Sequence, residues 1–181
     1  MSAVMQASTE MELSEPSSAR LRADMAPLAA VQLLIDAGET PEALKLLARL
    51  LPKRYAVAWL CQCARDQPLS MEDKAGAALA EAWVRDPDEP RRRAALDFAS
   101  AGEYRSLGAW IAASAGWSGG SLAPATQEAA VPPADHLTAR AVVASINLMA
   151  ALDIEQFTER RNGFIERAMV LLGNGVGTRH D

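Results

Sequence analysis

A chain of 181 residues with 50% hydrophobic side chains is long enough for one substantial core and too short for two ordinary domains to be expected. Only 5% of residues are aromatic, so much of the apolar content is small and suits closely packed helices. The formal charge of -5, from 23 acidic and 18 basic side chains, argues against broad contact with nucleic acid or an anionic membrane.

Residues 1–22 are rich in Ser, Glu and Met without a sustained period, and are expected to form a flexible arm whose glutamates need not contact anything. Met1 to Glu10 contain no positively charged stretch and no sustained apolar run, so no secretory signal is read there. Later apolar runs are broken by charge or proline before the roughly 20 residues needed to span a bilayer, so no direct membrane insertion is expected.

A first amphipathic helix is predicted over about Pro27 to Asp36, ending near Gly38. Thr40-Pro41-Glu42 then supplies an N-cap followed by proline in the first turn, with Leu44, Leu47 and Leu51 as the inner stripe. A new start at Pro52 brings Ala56, Trp59, Leu60 and Cys63 to one face. The two cysteines, Cys61 and Cys63, sit in this helix. At about 200° apart on the helix they cannot easily form a disulfide or share a metal, which fits a reduced, cytoplasmic chain.

Ser70 with Asp73 resembles a capping arrangement, continued by an apolar stripe of Ala75, Ala78, Leu79, Ala82 and Trp83 up to Asp86-Pro87. Asp88 caps the next helix, with Ala94, Ala95, Phe98 and Ala99 inside and Gly102 at its end. Tyr104, Leu107, Gly108, Ile111 and Ala115 place another before Gly116. The segment Trp117-Ser118-Gly119-Gly120-Ser121-Leu122-Ala123-Pro124, followed by Val131-Pro132-Pro133, interrupts the helical pattern. Tandem glycines admit backbone angles closed to other residues, and the prolines fix an extended path onward. Pro133 to Leu152 reads as a long, largely buried helix. Asp153 with Gln156 caps the last one, whose inner face carries Phe157, Phe164, Ala168 and Leu171.

The expected fold is therefore all-α: a compact multi-helix array of helical hairpins with flexible termini, divided into an arm (1–22), a single helical domain (23–172) and a tail (173–181). The spacing of Trp59, Trp83 and Trp110 hints at repetition, but too few intervening positions align to define a repeat. Gly173-Asn174-Gly175-Val176-Gly177 is expected to fray. It follows no predicted strand and lacks the lysine of a phosphate-binding loop, so it implies no nucleotide cofactor.

Three groups of motifs, taken together, resemble an uncharacterised family of bacterial all-helical proteins sometimes associated with type VI secretion gene neighbourhoods. They are Leu51-Pro52-Lys53-Arg54 with Ala58-Trp59, Trp117-Ser118-Gly119-Gly120-Ser121, and Leu137-Thr138-Ala139-Arg140-Ala141-Val142. The resemblance covers roughly residues 27 to 152. It implies an accessory interaction role and carries over no catalytic residue.

Two groups of polar residues merit a functional reading. Arg91, Arg92 and Arg93, near a helix N-terminus, have the chemistry to meet an anion or an acidic partner. Three consecutive arginines fan around a helix, however, and the plainer reading is a solvated face paired with Asp86, Asp88, Glu89 or Asp97. His136, Arg140 and Asn147 share one side of the long helix, where they could meet the Trp117–Pro133 segment and bind a phosphate, a carboxylate or a partner backbone. The competing reading is a structural polar network or a simple solvent face. Ser118 and Ser121 lack a nucleophile elbow and an oriented base, and the acidic residues show no metal-ligand spacing.

No catalytic residue, cofactor or metal is expected. The favoured function is a bacterial protein-interaction or adaptor domain with an unidentified protein partner, accessory to a secretion or envelope-associated assembly. The alternative is a small-ligand-binding regulatory module or small enzyme with a pocket near Gly119 and Arg140, lined by Trp117, Ser118, Gly120 and Ser121.

Overall fold

Most helix starts can be traced to a cap or a proline. The computed structural model describes residues 1–175. It contains α1 (Ala3–Glu10), α2 (Glu15–Arg20), α3 (Pro27–Asp36), α4 (Thr40–Leu50), α5 (Lys53–Arg65), α6 (Met71–Arg85), α7 (Glu89–Ala101), α8 (Leu107–Gly116), α9 (Leu137–Ala150) and α10 (Phe157–Gly175). A 3₁₀ turn at Ile154–Gln156 precedes α10, and there is no strand among the described residues. The all-α expectation holds. Ser70 Oγ accepts from the Asp73 amide at 3.1 Å, and Asp88 Oδ1 from the Arg91 amide at 3.0 Å, as their spacing predicts. Ser106 caps α8 in the same way, through the Ala109 amide at 3.1 Å. At the end of α3, Gly38 takes φ 76°, the Glu39 amide donates to Leu34 O at 2.9 Å and the Gly38 amide to Ile35 O at 3.0 Å, the paired bonds of a Schellman motif.

Helix α8 is the centre of the array, packed on α6, α7 and α9. Every residue from Leu107 to Gly116 except Trp110 is buried, as an Ala-rich helix that is apolar all round requires. Its glycines permit close approach on two sides. A Cβ on Gly76 of α6 would stand 2.1 Å from Gly108 O, and one on Gly116 would stand 2.7 Å from Leu96 Cα of α7. The α6 contact is also hydrogen-bonded, since Asp73 Oδ1 accepts from the Gly108 amide at 2.7 Å. The rest of the core joins α4, α5, α9 and α10, where the buried Trp59 donates through Nε1 to Phe164 O at 2.8 Å.

Several expectations need correction. Residues 1–22 are not a free arm. Val4, Ala7 and Met11 are buried where α1 and its end lie on α4 and α3, and Leu13 and Leu21 are buried after it. The buried side of α6 is Gly76, Ala80 and Trp83, not Ala75 and Ala78, which are exposed. The close crossing with α8 is made through glycine, so the helix turns its smallest residues inward. Thr40 is the first residue of α4 rather than its cap; the cap position is Glu39, whose carboxylate is bound instead by Ser17 and Arg20. Helix α9 begins at Leu137, after Pro132-Pro133 and a short turn, rather than at Pro133. Helix α10 runs through Gly173 to Gly175, where fraying was expected. Val176, Gly177 and His180 lie outside the described residues.

Candidate functional site

The Trp117–Pro133 break is held in place by basic side chains from two neighbouring helices. Arg92 is 3% exposed. Its Nε and Nη2 donate to the Glu89 carboxylate at 2.7 and 2.5 Å, Nη1 to Gly116 O at 2.7 Å, and Nη2 also to Ser121 O at 3.2 Å. The bond from Arg92 holds the Glu89 carboxyl below its usual range. Arg93 Nη1 donates to Ala123 O at 2.7 Å, and Lys53 of α5 donates to Ser118 O at 3.1 Å and faces Asp135 at 3.4 Å. Ser121 Oγ accepts from the Ala123 and Val131 amides at 3.1 and 2.9 Å, and the Leu122 amide donates to Val131 O at 2.8 Å, which pinches the ends of the loop together. At the tip Gly120 has φ 62°.

This geometry divides the three arginines. Arg91 pairs with Asp88 and lies 3.8 Å from Asp86, as the solvated reading has it. Arg92 and Arg93 have donors committed to main-chain carbonyls and are buried or half-buried, so the three present no common anion site. The sequence signal for Arg92 was Glu89 three residues before it, which neutralises the guanidinium as it enters the interior.

Within the His136, Arg140 and Asn147 stripe, it is Arg140 that reaches the N-terminal segment. Arg140 Nη2 donates to Glu10 O at 2.9 Å and pairs with the Glu12 carboxylate at 3.2 Å. Glu10 is held below the usual carboxylate range, chiefly by its hydrogen bond from Arg49, with Gln6 and the nearby His136 contributing. His136 occupies the N-cap position of α9 without a side-chain cap bond, and half-buried Asn147 lies near the helix end, where its carbonyl accepts from the Ala151 amide at 3.0 Å. The Arg140 amide donates to His136 O at 3.1 Å as part of the first turn of α9, and no side-chain hydrogen bond among the described residues joins Ser118, His136 and Arg140 to one another. Trp117 packs into a half-buried aromatic cluster, with ring centroids 5.5 Å from Tyr104 and 5.8 Å from Trp110. Glu103 and Tyr104, at φ 50° and 55°, make the tight turn that brings the Tyr104 ring to it.

Other clefts lie elsewhere, two of them beside α5 and α10. Between α5 and α6, a cleft of about 240 Å³ is lined by Cys61, Arg65, Lys74 and Glu81. Burial pushes the Cys61 thiol up to about 12, and it pushes Cys63 equally far, so neither is a nucleophile near neutral pH. As the spacing requires, the two point apart: Cys61 faces Glu81 of α6, and Cys63 faces Arg167 of α10. The larger cleft is an open apolar groove of about 680 Å³ between α3 and α10, lined by Leu28, Ala29, Gln32, Met169, Val170 and Gly173. Leu28 and Val170 are 39% and 61% exposed. Sequence reading missed this face, although Met169-Val170-Leu171-Leu172 carries a signal. Four successive apolar residues wrap more of a helix than one neighbour covers.

These features define an all-α domain with an open apolar groove and polar groups committed to internal contacts. A family of unknown function, DUF6931, matches residues 30–172, and the chain belongs to it. No curated protein and no solved structure matches the chain. No single helix among the described residues is long and apolar enough to cross a membrane.

Proposed function

We propose that this chain is a protein-interaction or adaptor domain. The observation that carries the reading is the α3/α10 groove, where Leu28, Met169 and Val170 offer an apolar surface with few polar groups. Scattered exposed apolar residues are ordinary, whereas an apolar groove between two helices has the form that receives an apolar helix face of another protein. A pocket for ligand binding or chemistry near Gly119 and Arg140 has less support, since Arg140 is engaged with Glu10 and Glu12. Bacterial origin and service to a secretion or envelope-associated assembly rest on the resemblance of the sequence motifs alone, and a cytoplasmic location rests on Cys61 and Cys63, which their helix keeps from pairing.

The test is a photo-crosslinking amino acid placed at Val170 in the native host. A protein should be captured there, and Leu28→Glu should abolish the capture while leaving the melting temperature within a few degrees. Equal capture with and without Leu28→Glu would remove the groove from the interaction.

A further inference from the structure

The N-terminal segment precedes the residues matched by the family, which begin at residue 30, and it is tied to the rest of the chain by charged side chains of α4, its cap position and α9. Helix α1 has 8 residues, too few to persist alone, so it is a helix only because it is docked. Glu10 in its last turn has the wrong charge for a helix C-terminus, and the helix has no basic residue there to compensate. The compensation comes from the surface beneath. Arg49 of α4 donates through Nε to the Glu10 carboxylate at 2.5 Å, and Arg140 of α9 donates to the terminal carbonyl of Glu10 and pairs with Glu12.

Apolar contact comes from Val4, Ala7 and Met11, at i, i+3 and i+7, with Leu13 and Leu21 buried after the helix. Clefts remain beside the helix and just past its C-terminal end. One of about 200 Å³ lies between Ala3, Gln6, Ala7 and the α4 residues Arg49 and Leu50. Another of about 170 Å³ lies between Met11 and Lys45, Arg140, Val143 and Ala144. The seat is therefore wider than α1 fills. Helix α2 adds mainly polar ties, from the Ser14 amide to Glu42 at 2.8 Å and from Ser17 and Arg20 to Glu39 at 2.7 and 3.2 Å.

We propose that the α4/α9 face beneath α1 is a helix-docking site, closed in this structure by the chain's own residues 1–20. The occupant it takes in exchange is an amphipathic helix of a partner protein, with apolar residues at i, i+3 and i+7 and an acidic C-terminal turn. Charge complementarity decides the partner's chemistry. Arg140 binds a helix-terminal carbonyl, which any helix end offers, but Arg49 binds a carboxylate, and a basic or neutral last turn would leave that arginine without its partner. The clefts favour a partner with bulkier side chains than Ala3 and Ala7. The inference rests on reading the chain as an interaction domain, but concerns a face other than the α3/α10 groove.

The probe is a fluorescein-labelled peptide of residues 1–22, titrated by anisotropy against the full-length chain. A chain with its own latch released by Val4→Asp and Met11→Asp should bind the peptide at least tenfold more tightly than the unmodified chain. Adding Arg49→Glu and Arg140→Glu should reverse that gain at least tenfold, and a peptide carrying Ala7→Leu should bind more tightly than the parent. A released chain that keeps its helical circular dichroism and cooperative melting yet fails to bind the peptide overturns the proposal, as does binding indifferent to the arginine reversals. Should the released chain not fold, hydrogen exchange on the unmodified chain decides. Amides of residues 5–10 exchanging at least tenfold faster than those of α8 support a separately opening latch, and exchange at one common rate overturns it. Capture at Val170 without peptide binding in trans sinks this proposal alone. Peptide binding without capture at Val170 supports it while removing the groove.

Discussion

Gly120 and Arg92 are fitted to each other: a Cβ on Gly120 would stand 2.7 Å from Arg92 Nε. The same residue holds φ 62°, a conformation that costs a branched side chain more than any other. The loop tip thus carries the guanidinium that ties it to α7.

Gly120→Val should therefore destabilise by about 2–4 kcal/mol, combining backbone strain with displacement of a buried, hydrogen-bonded guanidinium. Gly119→Val is the control, because a Cβ at Gly119 meets nothing within 4 Å. Thermal unfolding of the two variants measures the difference, and equal losses would show that the tip is not specially fitted.

Substitution of the three arginines should separate them in order of burial. Arg92→Ala removes bonds to Glu89, Gly116 and Ser121 and should cost about 3 kcal/mol in urea unfolding. Arg93→Ala, losing its bond to Ala123, should cost about 1 kcal/mol. Arg91→Ala touches only exposed acidic groups and should change stability by less than about 0.5 kcal/mol. A larger loss at Arg91 than at Arg92 would contradict the geometry.

Helix positions were legible in the sequence wherever caps and apolar period agreed, as at Ser70, Asp88 and Gly38. What local pattern could not carry was partner choice. Arg92 looks like one of three solvated arginines until Gly116 O is placed beside it, 24 positions along the chain. Arg140 looks like part of a stripe facing the next loop, and instead reaches back 130 positions to Glu10. The arm was misread for the same reason. Its period is weak because α1 and α2 are short, and their order comes from Arg49, Arg140, Glu39 and Glu42, which the arm's own composition does not contain.

The glycines on helices should behave in opposite ways. Gly108→Ala would put a Cβ 2.6 Å from Asp73 Cα, so α6 and α8 must separate, at a cost of about 3 kcal/mol or more. Gly163 lies within α10 with nothing within 4 Å of a Cβ, and is exposed. Gly163→Ala should stabilise by about 0.5–1 kcal/mol through higher helix propensity and a less free unfolded chain. Denaturant midpoints of the two variants should move in opposite directions, and a shift in the same direction would refute the assignment of close packing to one and open surface to the other.

Cys61 and Cys63 give the protein a predictable alkaline limit. Burial raises both thiols from an ordinary 9.0 to about 12, so the folded state keeps its thiol protons over a range where the unfolded state loses them. With more protons bound when folded, stability must fall as pH rises. The stabilisation is fully present below the unfolded thiol's pKa and is lost progressively from there up to about 12. Each thiol can contribute at most roughly 1.4 kcal/mol per pH unit within that window. Urea midpoints measured from pH 8 to 11 should decline more steeply for the unmodified chain than for Cys61→Ala/Cys63→Ala, whose other titrating groups are the same. In the folded protein both thiols should also react with a disulfide reagent far more slowly than in urea at the same pH. Parallel pH profiles for the two chains, or rapid labelling of the folded protein, would show that these thiols are not held neutral by burial.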